Sequence, residues 1–269
     1  MNLLVTLDSN YLTPLKVMLY SLFFNNSEEQ FRIYLLHSSI KPDEISDLEQ
    51  FINRYGHQLF VITVGEDDFQ DAPVVMHYTK EMYYRLLAFK YLPTDLERIL
   101  YLDPDILVIN RIKNLYDLDL TDWMYAAAYH DRLLVKELNK IRFMEYEIEE
   151  YFNSGVLLMN LVRQRKIIDE EEIYAFVEKN KNRLILPDQD VLNSLYAKHI
   201  KKLDEIKFNY DTRFYKYNRF VSKGKINMDY IMQNTVILHF CGKKKPWQEN
   251  YSGEFHSLYK HYEKLALGG

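Results

Sequence analysis

The sequence predicts an α/β protein, a sheet flanked by helices in one continuous domain. Three observations carry this. Strand-like apolar runs alternate with helical patterns through most of the 269 residues, the order that builds a sheet covered by helices. Neither an internal repeat nor a low-complexity linker interrupts them. Finally, the run Ile99-Leu100-Tyr101-Leu102 ends on Asp103-Pro104-Asp105, as a buried strand does when it delivers polar groups at its carboxyl end.

Leu3–Leu7 is the first strand. Thr13-Pro14 fits an N-cap and first helical position, so a helix runs from there to about Asn25. Phe31–His37 is the second strand. Pro42 opens a helix with Ile45, Leu48 and Ile52 on one face, and Leu59–Val64 is the third strand. A helix over about Lys80–Tyr91 stops before Pro93. Ile99–Leu102, Met124–Tyr129 and Gly155–Asn160 read as further strands. Helical patterns cover Glu170–Lys179 and Asp190–Ala197. A late strand at Val236–Phe240 precedes a final helix from about Phe255 to Leu265, and Gly268-Gly269 reads as a tail.

Hydrophobic residues make up 48% and charged residues 27%, enough apolar content for a sizeable core and too much for disorder. The formal net charge is −5, so bulk electrostatics argues against a nucleic-acid partner. A polyanionic ligand would need a metal or clustered Lys/Arg. Cys241 is the one cysteine, which excludes an internal disulfide framework. No leader pattern and no apolar stretch of membrane-span length is present. The expected setting is cytoplasmic, with the inner face of a membrane as an extension of it.

Asp103 precedes a proline and is pushed toward extended geometry, while Pro104 has a fixed φ and no N–H. Two hard oxygen donors are thus held stiffly at a strand end, which suits Mg²⁺ or Mn²⁺ and, through it, a phosphate. Asp-Pro-Asp is equally a good turn sequence. Asp8 and Asn10 sit at a strand-to-helix turn, either as capping groups or as hydrogen-bond partners for a base and ribose. His77 and Arg85 fit a solvated helix face or, for Arg85, a planar cation against phosphate or sugar. Asn153-Ser154-Gly155 is a turn, or a place where small residues admit a ligand beside an amide. In Pro187-Asp188-Gln189-Asp190 a helix opens. Asp188 fits its N-cap, and the same cluster could face a sugar. His239 could extend the metal shell, and Gly242 with Lys243 or Lys245 could neutralise a diphosphate. Read plainly, these are a core histidine and a solvated loop, and Cys241 a small buried residue.

Taken together, Leu7-Asp8-Ser9-Asn10-Tyr11, Tyr101-Leu102-Asp103-Pro104-Asp105, Phe152-Asn153-Ser154-Gly155-Val156, Pro187-Asp188-Gln189-Asp190 and His239 through Trp247 resemble glycosyltransferase family 8. Their joint order and spacing are far more specific than any one of them. The resemblance implies a GT-A fold, a Rossmann-like nucleotide half (about 1–110) merged with an acceptor half (111–267) around one mixed sheet. It implies a UDP-sugar donor, Mn²⁺ with Mg²⁺ as a substitute, and transfer of galactose or glucose with retention to a glycan, glycolipid or glycoprotein acceptor. Carried over, Asp103, Asp105 and His239 bind the metal. Asp8 and Asn10 contact uridine and ribose, and Gly242 and Lys245 the diphosphate. Arg85, Asn153, Asp188 and Gln189 surround the donor sugar, and Thr6, His77, Pro104 and Ser154 are further donor-binding residues. Gln189 and Asp188 are the catalytic pair. An amide at Gln189 is a poor nucleophile, so front-face attack is expected in place of a covalent intermediate. Pro104 between the aspartates and the extra Lys243-Lys244 depart from the pattern without removing a ligand.

On the acceptor side, Tyr129-His130-Asp131 could line a cleft. Arg213, Lys216, Arg219, Lys223 and Lys225 interleave with Phe214, Tyr215, Tyr217 and Phe220. That pattern suits an anionic membrane surface or phosphorylated glycolipid, or simply a basic surface loop. Two other classes remain in view. A haloacid-dehalogenase-type phosphatase also carries Asp-x-Asp after a strand, but early in the chain and with Thr or Val where this chain has Leu107. A catalytically inactive sugar-nucleotide or glycan-binding protein on the same fold would keep the ligands without turnover.

Overall fold

The computed structural model describes residues 1–65, 72–73, 81–129 and 150–268. His77, His130 and Asp131 therefore lie outside the described residues. The strands are β1 (Asn2–Thr6), β2 (Arg32–His37), β3 (Gln58–Thr63), β4 (Arg98–Leu102), β5 (Ile106–Val108), β6 (Tyr125–Ala128), β7 (Val156–Asn160), β8 (Ile200–Leu203), β9 (Tyr210–Asp211) and β10 (Ile237–His239). The helices are α1 (Leu12–Asn25), α2 (Pro42–Arg54), α3 (Glu81–Leu86), α4 (Lys113–Tyr116), α5 (Leu161–Ile167), α6 (Glu170–Asn180), α7 (Pro187–Tyr196), α8 (Glu205–Phe208), α9 (Tyr215–Val221), α10 (Met228–Asn234) and α11 (His256–Leu267).

Seven strands form one mixed sheet in the order β3-β2-β1-β4-β7-β6-β8. β3, β2, β1 and β4 are parallel neighbours. β7 runs antiparallel to both β4 and β6, and β6 is parallel to β8. The strand order reverses between β1 and β4, which opens a crevice at their carboxyl ends. A second sheet, β5-β10-β9, stands beside it.

Both faces of the large sheet are covered, so its interior strands are apolar on both sides. Leu4, Tyr34, Leu36, Tyr101, Leu157 and Met159 face one core with Tyr83 and Leu86 of α3, Phe176 and Val177 of α6, and Leu192 of α7. The alternate residues Leu3, Val5, Ile33, Leu35, Leu100 and Leu158 face a second core with Leu15, Met18 and Leu22 of α1 and Leu48 and Ile52 of α2. A third cluster joins Val17, Leu107, Leu238, Phe240 and Tyr259 around the small sheet and α11.

Three local expectations are corrected. Helix α1 begins at Leu12, and Thr13 is not its cap. Asp8 accepts the Asn10 N–H and starts a 3-10 turn, Ser9–Tyr11, that runs straight into α1. The helix expected to Tyr91 ends at Leu86, and a separate 3-10 turn covers Ala88–Lys90. Short strands β8 and β9 are additions, since Ile200-Lys201-Lys202-Leu203 is too brief and polar to stand out. Among the described residues no helix is long and apolar enough to cross a membrane.

Candidate active site

Sheet register brings the chemistry together. Asp103 follows β4 directly and Asp105 precedes β5, so three residues hold both carboxylates. β10 runs antiparallel to β5 and pairs His239 with Ile106, next to Asp105. β7 pairs Val156 with Leu102, which sets Gly155 opposite Asp103. The Asp103 N–H donates to the Gly155 carbonyl at 2.8 Å. One ligand atom from each of Asp103, Asp105 and His239 falls within 4.8 Å of the others. His239 Nε2 lies 3.2 Å from Asp105 Oδ1 and 3.8 Å from Asp103 Oδ2.

Whether these residues suit a divalent ion can be tested on their spacing. An octahedral shell with bonds of about 2.1 Å puts adjacent donors about 3 Å apart and opposite donors about 4.2 Å apart. The two histidine–carboxylate separations, 3.2 and 3.8 Å, fall within that range, and two carboxylates with one imidazole form a donor set Mn²⁺ or Mg²⁺ accepts. Gly155 keeps the space open. A Cβ there would stand 2.4 Å from His239 Cε1 and 2.6 Å from Asp103 Oδ2.

The charges are balanced by side chains. Lys245 Nζ pairs with Asp105 Oδ2 and donates to the Phe240 carbonyl at 3.1 Å. Burial would raise the Asp105 carboxyl, but His239 and Lys245 outweigh it and hold its pKa below the usual carboxylate range. Burial opposes the His239 cation too, yet Cys241 and Asp105 raise its pKa well above the ordinary value. Arg85, at the end of α3, reaches Asp103 Oδ1 at 3.1 Å and Asp188 Oδ2 at 2.9 Å. Its Nη1 also contacts Ser154 Oγ at 3.2 Å, while its buried Nε has no partner among the described residues.

Tyr101 was not singled out from sequence, because a tyrosine inside an apolar strand reads as core. Its ring lies under the Arg85 guanidinium, 4.6 Å from centroid to Cζ. Burial raises its pKa well above the ordinary phenol value against the pull of Arg85. The neutral hydroxyl donates to Asp103 Oδ1 at 2.5 Å and meets Thr6 Oγ1 at 3.3 Å.

Asp188 is not an N-cap. Helix α7 starts at Pro187, with Leu186 at the cap position and no side-chain cap bond. Asp188 thereby sits in the first turn, where the helix dipole favours a carboxylate. It accepts from Ser154 Oγ at 2.8 Å. Gln189 is buried, and its Oε1 accepts from Asn153 Nδ2 and the Ser154 N–H, each at 3.2 Å. Asp190 is fully buried and takes the Ile185 and Leu186 N–H groups on Oδ2 and the Tyr151 hydroxyl on Oδ1.

Asn209 is the second residue that the motifs missed. Its Nδ2 donates to Asn153 Oδ1 at 2.8 Å, which orients its Oδ1 toward His239 Nδ1, also at 2.8 Å. The proton on that contact is therefore on Nδ1, and Nε2 is the ring atom turned to the carboxylates. An unbroken hydrogen-bond chain runs from Gln189 through Asn153 and Asn209 to His239. Asp8 and Asn10 lie at the β1 end of the crevice, and Tyr11, edge-on to Trp247 at 5.9 Å, feels Lys245, Asp105, Asp8 and Asp103. Gly242 has φ 92°, a left-handed conformation that favours glycine, and a Cβ there would stand 2.8 Å from an Arg213 nitrogen. Lys243 and Lys244 are exposed.

Known proteins similar to this chain share its family and its fold. The profile of glycosyl transferase family 8 matches residues 2–251. General stress protein A of Bacillus subtilis is 29% identical over 97% of this chain and 92% of its own length. A lipopolysaccharide 1,2-glucosyltransferase of Escherichia coli is 26% identical over 94% of this chain and 76% of its own. The crystal structure of the galactosyltransferase LgtC, in complex with donor and acceptor sugar analogs, superposes with a TM-score of 0.80 at 24% identity, covering 98% of this chain and 96% of that one. Such neighbours share the GT-A fold.

Proposed function

The chain belongs to glycosyl transferase family 8, and from that premise we propose that it moves a hexose, glucose or galactose, from a UDP-sugar to a glycan or glycolipid, with retention at the anomeric carbon. That it is a glycosyltransferase follows from the family. The finer reading rests on one observation: the Asp103–Asp105–His239 group stands directly beside the Arg85–Ser154–Asp188–Gln189 cluster. The first group is suited to an ion on a diphosphate and the second to the sugar beyond it.

Asp103, Asp105 and His239 would hold the divalent ion, Mn²⁺ with Mg²⁺ as substitute. When bound, the ion supplies Lewis-acid stabilisation of the charge that develops on the leaving diphosphate. Lys245, next to Asp105, adds a second positive group on that side, and Gly242 lets the backbone approach. On the sugar side, Arg85 carries a buried N–H with no partner among the described residues, suited to a hydroxyl. Asp188, fixed by Ser154 and Arg85, orients hydroxyls. Gln189 offers only an amide oxygen, already accepting two N–H groups, and this lowers its reactivity further. We therefore favour attack by the acceptor on the same face as the leaving group, with no covalent sugar–enzyme bond. The lipopolysaccharide glucosyltransferases among the relatives support a cell-surface glycan or glycolipid as acceptor.

The test is UDP release from a panel of UDP-sugars, without acceptor, in Mn²⁺ and then in EDTA. Slow release from UDP-glucose or UDP-galactose that EDTA abolishes is expected. Failure to bind UDP at all, or release that ignores EDTA, would overturn the reading. Trapping a glycosyl adduct on Asp188, Gln189 or Asp190 of the unmodified enzyme would overturn the front-face step.

A further inference from the structure

Outside the crevice, one surface stands apart in charge and apolarity. From Thr212 to Met228 the sequence carries five cations, Arg213, Lys216, Arg219, Lys223 and Lys225, and no acidic residue, in a chain of formal net charge −5. Helix α9 buries Tyr215 and Asn218 and turns its other side chains outward. Phe220 is 83% exposed, Tyr217 56% and Val221 52%. Single exposed apolar residues are ordinary, but three on two turns among clustered cations mark a contact surface. Arg213 is held by Asp211 and Lys216 by Glu254. Arg219, Lys223 and Lys225 have no carboxylate partner among the described residues. Lys223 and Gly224 both have positive φ, 54° and 82°, and the turn they make leaves both exposed. Between Lys216, Arg219, Phe220, Lys223 and Glu254 lies an open groove of about 730 Å³.

We propose that this face docks on an anionic lipid bilayer, with Phe220, Tyr217 and Val221 entering the headgroup region and the cations paired with lipid phosphates. Charge complementarity selects the occupant. Cations alone would suit any polyanion. Cations around projecting aromatic and aliphatic groups fit an interface that is anionic outside and apolar beneath. The groove is open, as a headgroup needs. The position has a further sense. Arg213, two residues before α9, lies against Gly242 in the loop that carries Lys245. The docking face therefore borders the crevice, and an acceptor anchored in lipid would meet it at the membrane surface. Only this last link rests on the proposed transfer reaction; the docking does not.

The test is cosedimentation of the purified chain with phosphatidylcholine vesicles, with and without phosphatidylglycerol. Binding to the anionic vesicles alone, released by added salt, is expected. Replacing Arg219→Gln, Lys223→Asn and Lys225→Gln together should weaken it on the order of a hundredfold, and Phe220→Ser about tenfold. Each variant is checked by circular dichroism and by acceptor-free UDP release, which should match the parent. Equal binding to neutral vesicles, no binding to anionic ones, or full binding by the Phe220→Ser variant would overturn the proposal. Complete displacement by soluble glycerol phosphate would overturn it too, in favour of a site for a free anion.

Discussion

Replacing Gly155 by alanine adds one methyl group at a backbone position that tolerates it, so any effect comes from what the methyl meets. It would stand 2.4 Å from His239 Cε1, 2.6 Å from Asp103 Oδ2 and 3.2 Å from Asn153 Oδ1. Carbon contacts settle at about 3.5–4 Å, so two of the three ion-facing side chains must withdraw by about 1 Å. His239 is 3% exposed and tied to Asn209, which leaves it little room. Overpacking of this kind costs about 1–3 kcal/mol, or about 2–4 °C in Tm per kcal/mol for a chain of this size. The larger effect is on the ion. Saturation with Mn²⁺ at about a hundred times its Kd stabilises the parent by about 2.7 kcal/mol, and the variant should lose most of that gain. UDP release should fall about a hundredfold, as misplacement by 1 Å commonly does. Thermal unfolding with and without Mn²⁺ reads the first effect, and turnover the second. A variant with the parent's Mn²⁺-induced shift and the parent's rate would refute the idea that Gly155 keeps the ligand space open.

Asn209→Ala removes the acceptor that orients His239 and should lower Mn²⁺ affinity about 10–100-fold, with a stability loss of about 1–3 kcal/mol because the site is buried; unchanged affinity by calorimetry would count against the assignment. Asp190→Asn places an amide where Oδ2 now accepts two backbone N–H groups. It should cost about 1–3 kcal/mol in urea unfolding, whereas a neutral outcome would mean that the Ile185–Leu186 loop is held by other contacts. His37 and His57 each accept a backbone N–H on Nδ1, from Ile40 at 3.1 Å and Phe31 at 3.4 Å. Burial lowers the pKa of both, with the N-terminal amine adding to the effect on His57. The unfolded chain thus binds protons that the folded chain refuses. Their contribution to stability is present above the ordinary histidine value of about 6.5 and is lost as pH falls below it. The urea midpoint should drop across that window, and drop less in a His37→Gln/His57→Gln double variant; equal slopes would dismiss the two histidines as the cause.

Most of the site was legible because its residues are polar groups at the ends of apolar strands. Asp103 follows a buried run, Asp105 precedes one and His239 closes one, and sheet register then places them together without further instruction. Arg85, Asn153, Ser154, Asp188 and Gln189 were identified by motif, and the structure joins them in one hydrogen-bonded cluster. What stayed hidden was hidden for physical reasons. Tyr101 alternates correctly as a core residue, and only the tertiary fold reveals its hydroxyl beneath Asp103. Asn209 sits between two elements of four and two residues, with no periodicity to flag it. Asp188 looked like a cap because caps and first-turn acids share a composition; its partners, not its position, separate the two. The short strand β5 has no counterpart in the sequence reading, since three apolar residues carry no period of their own.

The amide chain from Gln189 to His239 has a direction as well as a length. Asn153 donates an N–H to Gln189 and accepts on its oxygen from Asn209 Nδ2 and the Gly155 N–H, so neither asparagine can flip without breaking bonds on both sides. The ends proposed for the sugar and for the ion are therefore joined by one set of hydrogen bonds. A sugar that repositioned Gln189 would be felt at His239, and an ion that fixed His239 would be felt at Gln189. Linkage then requires that any such effect change both dissociation constants by the same factor. On the proposed function, donor choice and ion choice would be two readings of one free energy.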